Sequence, residues 1–295
     1  MPELSSFIDA TLTWLRERSV PALEVDRRLS ALVTVACVYA RLCAPQGATE
    51  RQYDVVARFT LLFFLVDDAE LDELPDLLTP GASWSIGRHT PALRRWLAEF
   101  EEQTAVGAGP RERFAASYHD YLAARRDEHA HKQRPLDLAA HWAFRRRSIF
   151  MDPYLDMWMI LLGIELEALA AAPFAVARSS ATDLVLLAND LASLERDGQG
   201  GASPDDLNLV HTHARQHGVS EGEALEHLIT EHNQLVERYR AALERARLER
   251  PGPHAERCAE LLTGVVEGNV ASVRALPARY PGAERVLARL TSARS

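Results

Sequence analysis

The sequence predicts an all-α protein, a bundle of helices. Two observations carry that expectation. Apolar residues recur at helical spacing through nearly all long segments. No alternating apolar/polar segment bounded by turn residues argues for a strand.

Taken in chain order, the helical segments are "LSALVTVACVYARLC" (29–43), "VVARFTLLFFLVDDAELDEL" (55–74), "LRRWLAEFEEQTAV" (93–106) and "RERFAASYHDYLAARRDEHA" (111–130). They continue with "DMWMILLGIELEALAA" (156–171), the helix around "LANDLASLERDG" (187–198), "EALEHLITEHNQLVERYRAALERARLE" (223–249) and "CAELLTGVVEGNVASVRAL" (258–276). Turn-forming punctuation falls between them, as in "APQGATE", "TPGASWSIGRHTP", "AAPFA", "GQGGASP" and "RPGP". Neither a solenoid-period repeat nor a compositional linker divides the chain. One domain of roughly ten helices over residues 1–295 is the expectation.

The chain is 295 residues long and 47% hydrophobic, enough for a sizeable core. Its net charge is −9, with Arg and acidic residues interspersed, which excludes a nucleic-acid surface. Lys132 is the only lysine. Cys37, Cys43 and Cys258 form no metal-ligand pattern and read as free thiols of a reducing cytoplasm. The opening residues lack a signal-peptide core, and the apolar run Leu29–Ala40 is too short to span a bilayer, so a soluble, cytoplasmic protein is expected.

Four constellations could carry chemistry. In "FFLVDDAELDELPD" (63–76) an apolar half-helix runs into Asp67, Asp68, Glu70, Asp72, Glu73 and Asp76. Carboxylates at that density repel unless a cation neutralises them, and oxygen-only ligands favour a hard ion such as Mg²⁺. The alternative is a helix end leaving the core for solvent. In "NDLASLERD", Asn189, Ser193 and Asp197 recur every four residues, within about 80° on one helix face. An amide oxygen, a hydroxyl and a carboxylate in a row make a chelate for a hard cation, where a solvated face would more usually carry long charged side chains. Arg196 stands one residue off that row. In "FRRRSIFMDPYLDM" (144–157) three arginines precede a proline expected to interrupt the helix; forked guanidinium donors suit phosphate, though a surface charge run reads equally well. Arg279 and Tyr280 close the last long helix.

Together and in this order, the four resemble a bacterial class I terpene synthase (terpene cyclase). "DDAELD" (67–72) resembles that family's aspartate-rich motif, and "NDLASLERD" (189–197) its Asn/Ser/acid triad. "RRRSI" (145–149) resembles its diphosphate-sensing stretch, with Ser148 where Asp or Thr is usual and Phe150 where Gly is common. "GN…RY" (268–280) resembles its C-terminal pair. The resemblance implies three Mg²⁺ ions held by Asp67, Asp68 and Asp72 on one side and by Asn189, Ser193 and Asp197 on the other. It also implies diphosphate binding by Arg145, Arg146, Arg196, Arg279 and Tyr280, with Arg145 the favoured sensor.

The implied reaction ionises a linear prenyl diphosphate, C15 farnesyl or C20 geranylgeranyl, and cyclises the carbocation as diphosphate leaves. Phe63, Phe64, Trp142, Phe150, Tyr154 and Trp158 are candidate walls for that cation; plain core packing is the competing reading of each. A bicyclic diterpenyl diphosphate as substrate, a prenyltransferase, and a non-catalytic relative are the alternatives. A homodimer is the implied assembly.

Overall fold

An amphipathic helix is stable only when its apolar face meets another, and here the helices meet around a cavity. The computed structural model describes residues 4–17, 27–67, 100, 102, 108–134, 136–170, 172–198 and 207–294. Among the described residues there are eleven α-helices and no strand. They are α1 (Leu4–Glu17), α2 (Arg27–Leu42), α3 (Glu50–Asp67), α4 (Ala108–Gln133), α5 (Leu138–Ser148), α6 (Met151–Leu161), α7 (Phe174–Gly198), α8 (Leu209–His217), α9 (Glu221–Glu249), α10 (Pro253–Ala275) and α11 (Ala283–Leu287). A 3₁₀ turn, Leu166–Ala168, separates α6 from α7.

Helix α7 is the axis of the bundle. It packs against α9, α10 and α11, while α2 packs against α3 and α10, and α4 against α6. The stretch Leu184, Leu186, Leu187, Ala188 and Leu191 is almost fully buried, so this helix is apolar nearly all round in its middle. Local signals start and stop several elements. Ser220 and Glu223 form a reciprocal capping box at α9. Asp137 and Asn208 cap α5 and α8 through their side chains, and Pro253 opens α10.

Three expectations are corrected. The segment 156–171 is not one helix: α6 stops at Leu161, and Gly163 turns the chain at φ 63°, a conformation that glycine adopts without a Cβ penalty. The interruption after the arginines lies at Phe150, φ 67°, rather than at Pro153. Pro153 sits in the first turn of α6, where its missing N–H forfeits no intrahelical bond. The helix carrying Asn189 begins at Phe174, well before the stretch read as helical. Helix α1 had not been anticipated. Of the segment 93–106, only Phe100 and Glu102 are described, both helical. No described helix is long and apolar enough to cross a membrane.

Candidate active site

The four-residue spacing on α7 places Asn189, Ser193 and Asp197 on one face, and all three line a cavity of about 520 Å³. Ser193 Oγ donates to Asp197 Oδ2 at 2.5 Å, direct contact between side chains one turn apart. Arg196 closes on the other carboxylate oxygen through Nε at 2.9 Å and Nη2 at 2.8 Å. Asn189 Nδ2 donates to the Tyr280 hydroxyl at 3.4 Å. Asn208, at the N-cap of α8, reaches back to the triad: its Nδ2 donates to Asp197 Oδ2 at 3.1 Å and to the Asp190 carbonyl at 2.8 Å. That residue was not among the predicted ones. Its only sequence signal is an Asn before a short helical pattern.

The three consecutive arginines diverge, because successive residues on a helix point about 100° apart. Arg145 lines the cavity and forks onto Asp190, Nη2 at 2.5 Å and Nε at 3.4 Å. Asp190 is 3% exposed and also accepts from the Leu209 N–H at 3.0 Å. Arg145 Nη1 donates to Ser148 Oγ at 3.2 Å. Arg146 points away from the cavity to a bidentate pair with Asp183, at 2.6 and 2.8 Å, which holds the guanidinium above its ordinary pKa. Arg147 pairs with Asp120.

Arg279 and Tyr280 both line the cavity. The Arg279 guanidinium lies over the Phe64 ring, 4.8 Å from its centroid, and pairs with no carboxylate among the described residues. The Tyr280 hydroxyl meets that of Tyr39 at 3.0 Å. Tyr39, also unpredicted, comes from α2, 241 residues away, so no local pattern could announce it. Burial raises its phenol pKa well above the usual value, and the neighbouring Tyr280 adds to the shift.

Phe63, Phe64, Phe150 and Tyr154 form the aromatic wall. Phe63 stacks on Phe150 at 4.4 Å, and Tyr121 meets Phe150 edge-on at 4.9 Å. Trp142 and Trp158 are not in the wall; Trp158 is fully buried core. The aspartate-rich motif begins where α3 ends at Asp67, one turn beyond the cavity-lining Phe64. Asp68 and Asp72 lie outside the described residues. The Arg125–Glu128 ion pair of α4 also lines the cavity.

The donor set fits Mg²⁺. Asn189, Ser193 and Asp197 offer oxygens of three kinds, with no thiolate or imidazole among them, and line a cavity roomy enough for a bound anion. Among the described residues no group of three His, Cys, Asp or Glu could hold a metal by itself.

Residues 58–238 match the family model described as terpene synthase family 2, C-terminal metal binding. Pentalenene synthase from Streptomyces avermitilis is 28% identical over 200 residues, which are 62% of this chain and 58% of that protein. Pentalenene synthase from Streptomyces arenae is 26% identical over 209 residues, 65% and 61% of the two chains. The match thus spans about three fifths of the relatives' length. Linalool/nerolidol synthase from Streptomyces clavuligerus, solved with 2-fluorogeranyl diphosphate, superposes with a TM-score of 0.73 at 22% identity. That likeness covers 92% of this chain and 99% of the other. Germacradien-4-ol synthase from Streptomyces citricolor gives 0.71 at 20% identity, covering 92% and 94%. These likenesses establish the all-α fold that such synthases share.

Proposed function

The chain belongs to terpene synthase family 2, and from that membership and the geometry of the cavity we propose that it is a Mg²⁺-dependent class I cyclase. Its substrate in this reading is a linear prenyl diphosphate, C15 farnesyl before C20 geranylgeranyl. One observation carries the reading: a single cavity is lined by the triad, by the guanidinium groups of Arg145, Arg196 and Arg279, and by the aromatic rings of Phe63, Phe64 and Phe150. Its volume, about 520 Å³, falls within the range of small-molecule sites.

The residues divide the work by chemistry. Asn189, Ser193 and Asp197 would hold Mg²⁺ from α7, and Asp67, Asp68 and Asp72 from the aspartate-rich motif, with three ions in all. Bound there, the metal supplies positive charge to the departing diphosphate. Arg279, resting on Phe64 with no carboxylate partner among the described residues, is the guanidinium most readily offered to an incoming anion. Arg145 and Arg196 reach the diphosphate by loosening from Asp190 and Asp197, and Tyr280 adds a hydroxyl donor. The aromatic faces of Phe63, Phe64 and Phe150 shield the allylic cation from water and stabilise it. Arg146, Trp142 and Trp158 lie away from these positions and take no part. Residues 1–295 form one catalytic unit in this reading, acting in the cytoplasm as a homodimer.

Pentalenene synthase relatives and a neighbour solved with a fluorinated prenyl diphosphate support the substrate class. The test is to incubate purified protein with Mg²⁺ and, separately, C10, C15 and C20 prenyl diphosphates, then analyse hexane extracts by GC–MS. A cyclic terpene from one of them is expected. Chain-elongated diphosphates from mixed substrates would point instead to a prenyltransferase.

A further inference from the structure

Buried polar groups nearly always have hydrogen-bond partners, and the inner part of the cavity departs from that rule. Asn269 lines it from α10 and is 3% exposed, yet its Nδ2 donates to nothing. Tyr154 lines it from α6, and its buried hydroxyl makes no hydrogen bond of normal geometry, although the Trp158 indole N–H is an electrostatic neighbour. The Cys43 thiol, also lining the cavity, is the electrostatic neighbour of the Tyr154 and Ser272 hydroxyls, but neither makes a hydrogen bond of normal geometry.

The cluster is built by the fold. A Cβ on Gly268 would stand 2.2 Å from the Leu42 carbonyl oxygen and 2.4 Å from Cys43 Cα. Backbone therefore lies directly on backbone where α10 crosses the end of α2, and the next residue, Asn269, enters the cavity beside Cys43. This is the enclosed end: the Arg196 and Asp197 side chains at the metal end are 39% and 21% exposed.

We propose that Asn269 and Tyr154 hold a water molecule against the aromatic pocket, and that this water captures the carbocation, so that the product is a terpene alcohol. The inference rests on the cyclase reading above. A bound water requires room and two or more polar partners. Burial pushes the Cys43 thiol up to about 12 and the Tyr154 phenol well above its ordinary range. Both stay neutral and orient the water without becoming bases. A lone pair on the water oxygen forms the new C–O bond. One O–H bond of the resulting oxonium then breaks, and its proton passes to the released diphosphate.

The experiment runs the full-length enzyme with Mg²⁺ and each prenyl diphosphate in ¹⁸O-water, measuring diphosphate release and product mass together. The expected product is an alcohol carrying ¹⁸O, which distinguishes capture at carbon from cleavage at phosphorus. Asn269→Leu should lower the alcohol-to-hydrocarbon ratio about tenfold. Tyr154→Phe, which keeps the ring and its packing, should lower it in the same direction and serves if Asn269→Leu does not fold. Diphosphate release with hydrocarbon alone would overturn the inference and leave the cyclase reading standing. So would a labelled alcohol whose share neither substitution changes. No diphosphate release from any substrate would remove both.

Discussion

Asp197 accepts from Ser193, Arg196 and Asn208 at once, and that crowding shows which residues a sequence can reveal. Asn189, Ser193 and Asp197 were legible because their spacing is a property of one helix and needs no tertiary knowledge. Asn208 and Tyr39 were not, because each reaches the site across the fold. The choice among Arg145, Arg146 and Arg147 was left open by spacing and is separated by partners: a nearly buried Asp190, a partly exposed pair with Asp183, and the exposed Asp120. Two predictions belong here. Arg145→Ala strands the buried Asp190 carboxylate, and breaking such a pair costs about 3–5 kcal/mol. Both turnover and the urea midpoint should therefore fall. Arg146→Ala breaks a pair whose arginine is half exposed, worth about 1 kcal/mol or less, and should leave turnover within a few-fold of wild type in steady-state assays. Loss of activity in Arg146→Ala alone would shift the assignment by one residue.

Among the elements, positions of helices were easier to read than their ends. The α5–α6 break was expected at Pro153 because proline is the familiar interrupter. The structure bends at Phe150, where packing against Phe63 and Tyr121 holds a non-glycine residue at positive φ. Such a conformation costs on the order of 1–3 kcal/mol, and only surrounding contacts, invisible in sequence, can offset it. Phe150→Ala should remove those contacts and lower the thermal midpoint, because truncating a buried Phe costs about 3–5 kcal/mol. Gly268 is the sharper case. A methyl group there collides with the backbone of Leu42 and Cys43, which cannot give as a flexible side chain would. Gly268→Ala is predicted to destabilise by about 1–3 kcal/mol or more in thermal denaturation; an unchanged midpoint would mean that α2 and α10 do not meet there. "GN" in the sequence hints at a motif but not at a helix crossing.

Across the whole molecule, three buried imidazoles set a pH limit. Burial lowers the pKa of His141, His213 and His232 below the ordinary 6.5, and for His213 the neighbouring His227 and His217 lower it further. Below about pH 6.5 the unfolded chain binds protons that the folded chain resists, so stability is complete above that value and falls as the pH drops toward the depressed folded pKa values. Burial of Asp156 acts with the opposite sign: its carboxyl pKa is raised above 3.8, with Arg178 and Arg113 partly offsetting the shift. Urea midpoints should accordingly be lower at pH 5.5 than at pH 7.5, and equal midpoints would contradict the burial of these histidines. The fold class was legible because helical periodicity runs through nearly the whole chain. The cavity was not, since its walls come from at least six helices and the loops between them. The central claim is that the α7 triad binds the metal that draws off diphosphate. It is tested most directly by Mg²⁺-dependent diphosphate release from farnesyl and geranylgeranyl diphosphates, with wild type and Asn189→Ala compared at equal far-UV helical content. A fall of about two orders of magnitude or more in the variant is predicted, and undiminished release would contradict the account.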